Sequence, residues 1–145
     1  MNGNTEPAST LPMVLFICTG NTCRSPMAQC LMERLTGVKC QSAGLYALPG
    51  QPASQGALNA MKSLGLDLSG HQAQPVTLAL LNWADDVWCM TASHLAALTR
   101  QYPQYTPKYH VFDPPIPDPY GGDDSLYQMT AAALWEQLSK LAAKP

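Results

Sequence analysis

At 145 residues the chain has the length of one ordinary globular domain, enough to bury a core without disulfides or structural metal. Hydrophobic residues make up 46% of it, which excludes wholesale disorder. A net charge of −2, from 8 basic and 10 acidic side chains, speaks against a general nucleic-acid binder, which needs a basic face. No run approaches the roughly 20 apolar residues of a membrane span, so no membrane partner is expected. Residues 1–11 read as a flexible tail, with neither the basic start nor the apolar middle of an export signal. The five cysteines are an odd number in such a chain, which points away from a disulfide framework and towards a reducing cytoplasm.

The continuous apolar run Met13 to Cys18 predicts a strand buried on both faces. After Thr19-Gly20-Asn21-Thr22 a helix is expected from Pro26, with Ser25 as its N-cap, Met27, Leu31 and Leu35 at helical spacing, and Gly37 as its stop. Val38 to Ala43 predicts a weaker strand, and Ser54 to Leu64 a helix. Thr77 caps a short helix over Leu78 to Leu81. Asp86 to Met90 is the third strand and Ser93 to Tyr102 the following helix. Tyr109 to Phe112 is the fourth strand, and a last helix covers Ser125 to Ala142. Strands alternating with helices predict a single α/β domain over 12–145. It should hold a four-stranded parallel sheet with helices on both faces and a phosphate-binding loop after strand 1. Ligands in such folds lie at the carboxyl ends of strands. Two loops qualify, Cys18 to Ser25 and Asp113 to Gly122.

The first loop, Cys18-Thr19-Gly20-Asn21-Thr22-Cys23-Arg24-Ser25-Pro26, feeds a helix N-terminus, where inward N–H groups and the helix dipole make an anion site. Gly20 admits a ligand close to the backbone, and Asn21 tolerates the left-handed conformation that folds the loop into a cup. Arg24 offers a planar fork for two phosphate oxygens, and the field favours Cys18 as a nucleophilic thiolate. Cys, five residues, Arg, then Ser or Thr arises by chance in about one chain in a hundred of this length. Its position between a buried strand and a helix makes it far more specific. Zinc is rejected: a second ligand pair is missing and Arg24 would repel a cation. The second loop can supply a proton to a leaving group. Asp118, between Pro117 and Pro119 and before Tyr120, is the better acid. Asp113 touches the strand end, and Asp123 and Asp124 suit a helix cap.

Val14 to Pro26 together with Asp118-Pro119-Tyr120 resembles the low-molecular-weight protein tyrosine phosphatases, and the likeness takes in Ser42-Ala43-Gly44, His71 and Met90-Thr91. The resemblance implies a phosphorylated protein substrate and a two-step reaction without metal or cofactor, carried out by a monomer. Cys18 would take the phosphoryl group while Asp118 protonates the leaving group, and Asp118 would then activate water. Arg24 and the loop N–H groups would hold the oxygens, and Ser25 would donate to the Cys18 thiolate. The resemblance also makes Asn21 the residue that holds the loop, with Ser42 and His71 behind it. Cys23 becomes a redox partner of Cys18 able to shield it from irreversible oxidation. Cys30, Cys40 and Cys89 read as core residues.

The substrate is expected to be phosphotyrosine, with Tyr46, Leu48 and Tyr120 as pocket wall. Phosphoarginine is the alternative, because the chain is also similar to bacterial protein arginine phosphatases, in which threonine at the position of Thr22 favours that substrate. An arsenate reductase would need two further cysteines in the later half, where only Cys89 stands. A non-catalytic phosphate-binding module would not need Cys18, Arg24 and Asp118 together.

Overall fold

The five apolar residues Val14–Cys18 form the central strand β1, and all are buried. Val14, Phe16 and Cys18 enter one core layer while Leu15 and Ile17 enter the other, so the run is continuous rather than alternating. The computed structural model describes residues 12–143; the tail expected over 1–11 lies outside the described residues. Strands β2 (Gln41–Gly44), β3 (Asp86–Cys89) and β4 (Tyr109–Val111) complete a parallel sheet of order β2-β1-β3-β4. On one face pack α1 (Arg24–Thr36), α2 (Gln55–Ser63) and α5 (Asp124–Ala142), through Met27, Leu31, Met61, Leu134 and Leu138. On the other lie α3 (Leu78–Trp83) and α4 (Ala92–Gln101), through Leu81 and Leu98. The chain leaves β1 for β2 on one side and returns to β3 on the other. The crevice where a ligand belongs is therefore at the carboxyl end of β1. No helix among the described residues is long and apolar enough to cross a membrane.

Local signals set most boundaries. Gly37 ends α1 at φ 73°, its N–H on the Glu33 carbonyl at 2.8 Å. Ser54, Thr77 and Asp123 cap α2, α3 and α5 by accepting from Ala57, Leu80 and Leu126 N–H groups. Two expectations need correction, and one element was not expected. The helix α1 begins at Arg24 with Cys23 as its N-cap, so Ser25 caps nothing and lies inside the first turn. Strand β2 starts at Gln41 rather than Val38, because Val38 and Cys40 N–H groups are taken by Thr36 Oγ1 and Glu33 Oε2 at the end of α1. A 3₁₀ turn over Pro103–Lys108, unmarked by any apolar period, precedes β4.

Candidate active site

The loop between β1 and α1 is folded around Asn21, which is fully buried at φ 57°. Its Nδ2 donates to Ser25 Oγ (2.8 Å) and Ser42 Oγ (3.0 Å), and its Oδ1 accepts from the Gln74 N–H (2.9 Å). Its carbonyl accepts from His71 Nε2 at 2.7 Å, which places the ring proton on that nitrogen. Burial lowers the His71 pKa, against the pull of that carbonyl. Ser42 Oγ in turn donates to Gln29 Oε1 at 2.7 Å. These bonds offset the burial of polar groups that would otherwise be costly.

Gly44, at the end of β2, lets the loop pass. A Cβ there would stand 2.6 Å from the Thr19 carbonyl oxygen and 2.9 Å from the Asn21 nitrogen. Gly20 is different: its Cβ would meet only Thr22 Oγ1, at 3.8 Å, so protein crowding does not demand glycine there.

Cys18 ends β1 and is buried, its Sγ 2.9 Å from Ser25 Oγ. Because the Asn21 amide already donates to Ser25 Oγ, the serine proton is free to point at the sulfur. A proton placed there can stabilise negative charge on the sulfur as it leaves phosphorus. Ser25 thus has the sulfur contact implied by the resemblance and loses the capping role expected from local pattern. Arg24, 5% exposed, donates through Nη1 to the Ile116 carbonyl at 3.0 Å, and its Nη2 lies 3.7 Å from Asp118 Oδ2. The Asp118 side chain is 54% exposed, and its Oδ1 accepts from the Tyr120 N–H at 3.0 Å. Asp113 is elsewhere, in a separate groove with Trp88, Phe112 and Gln137.

A pocket of about 270 Å³ joins these groups. The loop residues Cys18, Thr19, Gly20, Thr22, Cys23 and Arg24 line it, with Asp118, Tyr120 and Gln51 from two other loops. Tyr46 and Leu48, expected in the wall, are 69% and 67% exposed and are not among its lining residues. The Cys23 thiol lies 3.2 Å from Ser54 Oγ and 3.4 Å from the Tyr127 hydroxyl. Cys40 and Cys89 are core residues as expected, their thiols pushed up to about 12 chiefly by burial. Cys30 is only half-buried, with its pKa raised by burial and by Glu33 and Asp67.

Four residues escaped the sequence reading: Gln29, Gln51, Gln74 and His94. His94 is buried in the first turn of α4, its Nε2 2.9 Å from Thr19 Oγ1 and its Nδ1 3.1 Å from Thr91 Oγ1. Burial and then the Arg24 charge lower its pKa to about 4, with Asp118 opposing. Its place just beyond the carboxyl end of β3 was the available signal. Gln29 and Gln74 carry no signal at all, since only the fold brings them to Asn21 and Ser42.

A buried thiol, an arginine and a carboxylate around one pocket are the groups that a cysteine-dependent phosphatase uses. The family model for the low molecular weight phosphotyrosine protein phosphatase matches residues 13–144, and the chain belongs to that family. A protein-arginine-phosphatase from Geobacillus stearothermophilus is 36% identical over 140 residues, covering 90% of this chain and 94% of that protein. The tyrosine phosphatase Wzb from Escherichia coli K30, solved in complex with sulphate, superposes with a TM-score of 0.85 at 34% identity, covering 90% of this chain and 95% of that one. A cysteine-to-serine mutant of the YwlE arginine phosphatase, solved with a phosphorylated active-site serine, superposes at 0.86 with 33% identity, covering 89% of this chain and 92% of that one.

Proposed function

We propose that this chain removes phosphoryl groups from phosphorylated proteins by double displacement at Cys18, with phosphoarginine as its preferred substrate. In the first step the Cys18 thiolate attacks phosphorus. The bond to the leaving nitrogen or oxygen breaks as Asp118 gives that atom its proton. In the second step the Asp118 carboxylate takes a proton from water, the water oxygen bonds to phosphorus, and the S–P bond breaks. Ser25 stabilises the departing sulfur, and Arg24 with the loop N–H groups holds the equatorial oxygens through both steps. Asn21, backed by Ser42 and His71, keeps the cup in shape. Cys23 is the redox partner of Cys18. The enzyme works as a monomer in the cytoplasm, with no metal or cofactor.

The observation that carries the substrate preference is the make-up of the pocket wall. It is lined by Thr22, Gln51 and Asp118, with Tyr120 as its aromatic member, while Tyr46 and Leu48 are exposed. Such a wall suits a guanidinium, which carries several N–H donors, better than a phenyl ring. Phosphotyrosine is the second reading, favoured by the Tyr120 ring at the lip, 76% exposed and open to stacking. Matched phosphoarginine and phosphotyrosine peptides, assayed side by side under reducing conditions, test the choice. Faster release from phosphoarginine, reversed by Thr22→Val, is the expected result. Faster release from phosphotyrosine with Thr22→Val inert would overturn it.

A further inference from the structure

Gln51 is exposed in the pocket wall, and its side-chain amide hydrogen-bonds to no protein group among the described residues. Its backbone, by contrast, is held firmly. The Gln51 N–H donates to the Leu48 carbonyl at 3.2 Å, and its carbonyl accepts from the Ala73 N–H at 2.8 Å. Beside it the Gly50 N–H, at φ 83°, donates to the Ala73 carbonyl at 2.9 Å. The next residue along, Gln74, donates to Asn21 Oδ1 in the phosphate loop. Gln51 is therefore fixed in position relative to the loop by main-chain bonds, while its carboxamide remains uncommitted. A wall residue with a placed backbone and a free polar end is suited to reading a substrate.

We infer that Gln51 is a specificity residue for the guanidinium of phosphoarginine, its Oε1 accepting an N–H from a nitrogen that does not bear the phosphoryl group. The inference rests on the phosphoarginine reading of this site and deepens it. The phosphoryl group is met by Arg24 and the loop, and the departing nitrogen by Asp118, which leaves the remaining guanidinium N–H groups to be satisfied. A buried donor without an acceptor weakens binding, and an acceptor on the wall removes that loss. A tyrosyl ring offers no N–H at this depth, so the same amide gives it no corresponding gain. Gln51 adds to discrimination between the two substrates and takes no part in phosphoryl transfer.

The test compares the wild-type chain with Gln51→Leu, which keeps a branched side chain of similar bulk and removes the acceptor, and Gln51→Glu, which keeps an acceptor oxygen. Substrates are a phosphoarginine peptide, the matched phosphotyrosine peptide and a simple aryl phosphate. Gln51→Leu should lower kcat/KM on phosphoarginine roughly 10- to 150-fold, the range of one hydrogen bond to a charged group. It should leave the other two substrates within about twofold, well below that range. Gln51→Glu should retain or raise phosphoarginine turnover. Equal losses on all three substrates, or no loss on phosphoarginine, would overturn the role of Gln51 while leaving the phosphatase reading intact. A wild-type chain active on phosphotyrosine and silent on phosphoarginine would overturn the substrate reading and this inference with it.

Discussion

The two loops of the site are built in opposite ways. The phosphate loop is anchored from the interior: Asn21 and Ser25, with Ser42 of β2 behind them, are at most 1% exposed, and each of these polar side chains has a protein partner. The acid loop is exterior: Asp118 and Tyr120 are more than half exposed, and their contacts are a short turn bond and a 3.7 Å approach to Arg24. In the proposed mechanism the part that meets an unchanging phosphoryl group is prefabricated, so little reorganisation is needed when charge develops. The part proposed to give and take a proton has few protein contacts to hold it.

That contrast can be broken most directly at the sulfur. Cys18→Ser should abolish detectable turnover while phosphate still binds the cup; a variant with near-normal turnover would remove the nucleophile. Next comes Asp118→Ala, expected to slow turnover by roughly 10²–10⁴ and most for poor leaving groups. Being exposed, this change should leave thermal stability almost unaltered, whereas a large fall in Tm would show that the acid loop is structural after all. The smallest effect lies in the buried half. His94 has a folded pKa of about 4 against an ordinary 6.5, so it stays neutral in the folded protein at neutral pH. The unfolded chain takes up its proton first on acidification. The corresponding stability is complete above pH 6.5 and is lost as pH falls towards 4, up to about 3 kcal/mol. Denaturant melts across that window should show this slope, flattened in His94→Asn. An unchanged slope would mean that other groups govern the acid transition.

Features legible in the sequence are those written locally. The β1 run, the Gly37 stop and the caps at Thr77 and Asp123 depend on residues within a turn or two, and all fold as read. Cys18, Arg24 and Asp118 were legible as types in a spacing, and the fold brings them to one pocket. What could not be read depends on contacts across the fold. Ser25 has the chemistry of a cap, but a sulfur on β1 and an amide on Asn21 claim its hydroxyl. Gly44 is required by the Thr19 carbonyl of a neighbouring segment, which no pattern around Gly44 announces.

The short strap around Ala73 and Gln74 holds both the Gly50–Gln51 turn and the Asn21 amide, and on the turn side every bond is main chain to main chain. Main-chain bonds do not depend on which side chain a residue carries. The identity of position 51 can therefore drift through many residue types while its distance from the cup stays constant. A molecule built this way can acquire a new substrate by exchange of one exposed side chain, with no re-engineering of the cradle that performs the chemistry.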